Sequence, residues 1–114
     1  MQRDMDLIRQ VLIALEGGQP SAGISGYTED QIKYHQALAI EAGLAEGRVI
    51  RVQSAITDVP GAVVLSRLTW AGHDFLSAIR EETKWRQVKV FLAEAGKVLS
   101  IETIKAAAKH LFGM

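Results

Sequence analysis

The nearest approach to an acid–base pair in this chain is His73–Asp74, inside "LTWAGHDFLSAIREETKW" (68–85). Side chains adjacent in a helix point about 100° apart, so the two do not form a ready dyad. Every residue around them has a packing or capping reason. Thr69 caps a helix, Asp74 in its first turns suits the helix dipole, and Gly72 lets the helix approach a strand closely. Trp70 and Phe75 are expected to pack beneath a hairpin. His35, in "IKYHQAL", shares a helical face with Ile32, Leu38 and Ala39. It reads as a packed, hydrogen-bonded histidine at the edge of the core, a pH-sensitive role being the alternative. His110 stands alone near the C-terminus. No HxxxH or HExxH spacing, carboxylate cluster, nucleophile elbow, Walker loop or GxGxxG occurs, so neither a metal site, a cofactor nor an enzyme is expected.

Positive and amide side chains give a different chemistry. Lys33 and Gln36 are expected to project from the polar side of one helix, with Arg48 and Arg51 on one strand of a hairpin and Arg67 on the other. Such a set suits contacts to phosphates and base edges. Glu29, Asp30 and Glu41 on the same helix oppose phosphate, and an ordinary solvated surface is the competing reading.

The elements that would hold these residues are legible. "RDMDLIRQVLIALEGG" carries an apolar stripe at Leu7, Ile8, Val11, Leu12 and Leu15, opened by Asp4 as N-cap and closed at Gly17–Gly18. "QPSAGISG" is a loop, with a short strand expected at Ile24. A second helix over about Glu29 to Ala42 begins with a Thr28/Gln31 capping box and a Tyr27/Ile32 staple, and stops at Gly43 with Leu44 behind it. "GRVIRVQ" and "AVVLSRL" form a β-hairpin with "SAITDVPG" at its tip, expected to be mobile. A helix follows Thr69, breaks near Thr83, and resumes with Trp85, Val88, Phe91, Leu92 and Ala95 on one face. Ser100 caps a last helix carrying Ile101, Ile104, Ala108 and Leu111. A helix, "EAGL" and a two-stranded hairpin in succession look like the end of a winged-helix domain, with helix two as recognition helix and the hairpin as wing. In that scheme "QPSAGISGY" stands where the preceding helix would be.

Composition sets the outer bounds. The 114 residues are 48% hydrophobic, enough for a core, and suit a single domain over 1–114 with a C-terminal helical extension from about 84. Thirteen basic residues balance 13 acidic ones, which weakens a nucleic-acid reading without removing a local patch. There is no cysteine, hence no disulfide or thiolate metal site. No apolar run reaches membrane-spanning length and the N-terminus lacks a signal-like core, so a soluble cytoplasmic protein is expected.

"RDMDLIR", "YHQALAIEAGL" and "LTWAGHDFLSAIREETKW", in that order, resemble the small bacterial and prophage-associated proteins grouped as domain of unknown function 2513. The resemblance runs from about Arg3 to Trp85 and more loosely beyond. It implies a winged-helix-like α+β fold and a phage or mobile-element setting, and brings no catalytic residue. Two functions are expected on these grounds. The leading one is nucleic-acid binding or transcription regulation, with double-stranded DNA as partner. The other is a protein-interaction module acting on a host or phage protein. The amphipathic C-terminal helices serve the protein's own core or a homodimer.

Overall fold

The computed structural model describes residues 1–52 and 57–113. Among them run five helices and one antiparallel hairpin, an α+β architecture. The elements are α1 (Met5–Glu16), α2 (Glu29–Glu41), β1 (Ala45–Ile50), β2 (Ala62–Leu68), α3 (Trp70–Ile79), α4 (Glu82–Glu94) and α5 (Ile101–Phe112). The chain falls into two compact units, Met1–Gly72 and His73–Met114.

Local capping chemistry fixes where the helices of the first unit start. The Asp4 carboxylate accepts from the Asp6 and Leu7 amides and opens α1. Thr28 and Gln31 form the expected reciprocal box at α2. α2 ends as Gly43 turns left-handed at φ 75°, which lets the Leu44 amide reach back to the Ala39 carbonyl at 3.0 Å. Leu44 is thereby buried at the mouth of β1.

Residues 17–28 form turns and no strand. The Ala22 amide bonds the Gln19 carbonyl and the Tyr27 amide bonds the Ile24 carbonyl, so the chain folds on itself around Ile24 instead of pairing with the hairpin.

The hairpin carries a bulge. Glu46 faces Arg67 and the next residue, Gly47, faces Leu65, which leaves Ser66 as an extra residue on β2. Strict alternation would send Leu65 and Leu68 to opposite faces. The bulge brings both to the buried face, with Ala45. α1 packs on α2 and on β2, and α2 packs on both strands. Leu7, Ile8, Val11, Leu12 and Leu15 of α1 are all buried. At the tip, the Gly61 amide bonds the Ile50 carbonyl at 2.9 Å and the Val59 amide bonds the Thr57 hydroxyl. The part of the expected tip at 54–56 lies outside the described residues.

The second unit holds most of α3 with α4 and α5. α3 ends at Ile79, and α4 begins after Glu81, earlier than the expected break near Thr83. The reason is phase. On an unbroken helix Trp85 would point about 120° away from Ile79, whereas both are buried. The break resets the stripe so that Trp85, Val88 and Leu92 share a buried face, while Ala95 falls outside it. Ser100 caps α5 in a box with Thr103, and α5 buries Ile104, Ala107 and Ala108 while packing on α4. Among the described residues no helix is long and apolar enough to cross a membrane.

Candidate functional site

The two histidines with possible chemistry have different fates. His35 is 1% exposed. The Asp4 amide, which can only donate, bonds its Nε2 at 2.8 Å, so the ring proton sits on Nδ1 and is donated to the Gln31 carbonyl at 2.7 Å. Both nitrogens are used in joining α1 to α2, as a packed core histidine requires. His73 and Asp74 are both exposed. No hydrogen bond or ion pair joins them among the described residues. His110 stacks on Phe91, centroids 5.2 Å apart.

Asp4 also accepts from the Tyr27 hydroxyl at 3.3 Å. Partial burial and then the Asp4 charge raise the Tyr27 phenol above its ordinary value, because both disfavour a phenolate there. The raised value in the folded state means that this contribution to stability is present below the ordinary phenol range. It is lost as pH rises through the folded value. In an alkaline titration followed by tyrosinate absorbance, one of the two tyrosines is expected to ionise late. Tyr27→Phe should remove that late component; its survival would assign it to Tyr34.

The junction at Thr69 gathers three elements. Its hydroxyl donates to the Gly43 carbonyl at 2.6 Å and accepts the Gly72 amide at 3.0 Å, while the Thr69 amide bonds the Leu44 carbonyl. Gly72 lies directly beneath that carbonyl, and a Cβ there would overlap the Leu44 backbone. The close helix–strand approach expected of Gly72 is therefore made at the residue that leads into β1.

Trp70 does not pack beneath the hairpin. It is 88% exposed. On α3 it lies about 180° from Ile79, opposite the stripe of Phe75, Leu76 and Ile79 that is buried.

Of the five expected contact residues, three are paired with carboxylates, one is buried and one has no partner among the described residues. Lys33 pairs with Glu29 one turn earlier at 3.3 Å. Arg51 reaches the Glu41 carboxylate at 3.4 Å and the Asp58 carbonyl at 3.2 Å. Arg67 forms a two-point pair with Glu46 at 2.8 and 3.0 Å, which raises the guanidinium further above its ordinary value. Gln36 does not project from the polar side of α2. It is 8% exposed, and its Nε2 donates to the Pro20 carbonyl at 3.0 Å. The turns of residues 17–28 fold over that side of the helix and bury it. Only Arg48 is exposed with no hydrogen-bond or ion-pair partner among the described residues.

Arg48 sits on the outer face of the hairpin, opposite Val64. Alternation places Glu46, Arg48 and Ile50 on one side of β1. Ile50 and Val64 are half-exposed, as is Val52 just beyond. The face is thus an apolar strip with an unpaired guanidinium in it and the Glu46–Arg67 pair at its end. Leu65 and Leu68, spaced by three in a strand pattern, were the signal for the bulge that sets this face. The carboxylate partners depend on tertiary placement and had no such signal.

A small α+β protein with a two-stranded hairpin, many of whose polar side chains are engaged in caps and ion pairs, is the class these observations define. No group of three or more His, Asp or Glu side chains among the described residues is placed to hold a metal ion. The chain belongs to the family described as "Hypothetical protein (DUF2513)", whose model matches residues 2–98. It is similar to an uncharacterized protein of Haemophilus influenzae, 31% identical over 117 residues, covering 97% of this chain and 95% of that one. No solved structure matches it.

Proposed function

We propose that this protein is an interaction module that docks a protein partner on the outer face of its hairpin. The observation that carries this reading is the pairing of charge. Lys33, Arg51 and Arg67 are each matched to a carboxylate, and the remaining guanidinium, Arg48, lies among Ile50, Val52 and Val64. Phosphate binding draws its strength from unneutralised cations. A mixed surface with an exposed apolar strip suits a protein instead. The partner that fits presents an apolar strip of its own and a carboxylate opposite Arg48.

DNA binding by a winged-helix regulator of phage or mobile-element origin is the second reading, with α2 in the groove and β1–β2 as wing. Unpaired Arg48 on the hairpin favours it. Titration with labelled duplex DNA, followed by fluorescence anisotropy at low and near-physiological salt, separates the two. The protein-docking reading predicts no salt-sensitive binding and no difference between the wild type and Arg48→Ala/Arg51→Ala. Salt-sensitive binding that the double variant loses while remaining folded would overturn it in favour of DNA.

A further inference from the structure

Residues 21–27, the first turns of α2 and the start of β2 line an open cavity of about 640 Å³, within the first unit. That volume lies in the range of small-molecule sites. Ile24, Ile32, Ala62 and Val63 give it apolar walls, and Gln36 lines it.

Gln36 supplies the specific group. The Pro20 carbonyl can only accept, so the bond it receives fixes the amide with Nε2 toward Pro20. The other end, Oε1, has no partner among the described residues. No polar side-chain atom there is both sealed from solvent and unpartnered. Oε1 therefore reaches solvent, in a side chain that lines the cavity and belongs to a residue more than nine-tenths buried. It is a fixed acceptor beside these apolar walls, in a cavity that Ser21, Ser25 and Tyr27 also line, and such a group favours a ligand that brings a donor. The charges at the cavity are balanced, Lys33 and Glu29 pairing with one another at 3.3 Å.

The geometry points to a binding site for an uncharged heteroaromatic molecule bearing a ring N–H, its ring against the apolar walls and its N–H donated to Gln36 Oε1. None of Arg48, Ile50, Val52 and Val64 lines this cavity, and neither proposal depends on the other.

The test is an NMR titration of the full chain with two probes, indole and N-methylindole, which differ in the donor. Indole should produce saturating shifts at the Ile24, Ile32 and Val63 methyls and at the Gln36 side-chain amide. N-methylindole should bind at least about tenfold more weakly, the ratio expected from one hydrogen bond. Absence of saturable shifts with indole, or equal binding of the two probes, would overturn the proposal. In Gln36→Met the preference should vanish; its persistence in the folded variant would also overturn it. Should that variant not fold, the comparison of the two probes on the wild type decides alone.

Discussion

Gly72→Ala is expected to lower stability by about 3 kcal/mol, a fall in Tm of roughly 10–20 °C. The added Cβ meets backbone, not the end of a flexible side chain. It overlaps the Leu44 carbonyl oxygen and crowds the Leu44 carbonyl carbon and Cα. That same carbonyl accepts the Thr69 amide, and the Gly72 amide is held by the Thr69 hydroxyl. Relief of the clash must therefore open the junction of α2, β1 and α3. Gly23→Ala is the internal control, because a Cβ at that position meets nothing within 4 Å. It should change stability by no more than about 0.5 kcal/mol. Thermal or urea unfolding of the two variants checks the pair. Equal stability of Gly72→Ala and wild type would show that the helix–strand contact is looser than described.

His35→Ala should lose a similar amount, about 3 kcal/mol, for a different reason. The ring fills buried volume, and its removal leaves a cavity. It also accepts the Asp4 amide, which becomes an unsatisfied donor worth about 1–3 kcal/mol. His35→Gln separates the two contributions, since a glutamine oxygen can stand near the position of Nε2 and accept the same amide. It should recover at least half of the loss. His35→Leu restores volume without an acceptor and should recover less. The same stability for the glutamine and leucine variants would contradict the role given to Nε2.

What could be read from the chain alone was whatever local chemistry decides. Asp4, Thr28 with Gln31, Thr69 and Ser100 each sit within three residues of the amides they cap, so their roles follow from spacing. The hairpin strands follow from their β-branched runs. What was missed depended on distant parts of the chain or on phase. The break at Arg80–Glu81 is set by the mismatch between the Ile79 and Trp85 stripes, which shows only when angles are counted through. Trp70 is large and apolar, which suggests packing beneath the hairpin, but its angular position on α3 puts it opposite the buried stripe. Gln36 looked polar and outward until residues 17–28 folded over it and Pro20 took its amide. The pairing of Arg67 with Glu46 is a cross-strand relation that exists only once the bulge has set the register.

The outer hairpin face is expected to receive a protein. A photo-crosslinking residue placed at Val64, and separately at exposed Lys105 as control, tests this in cells that produce the protein. Position 64 should give a discrete protein adduct, with none of the same size from position 105, and the adduct should be lost when Arg48→Glu is added. No adduct from position 64, or one that Arg48→Glu leaves unchanged, would contradict it.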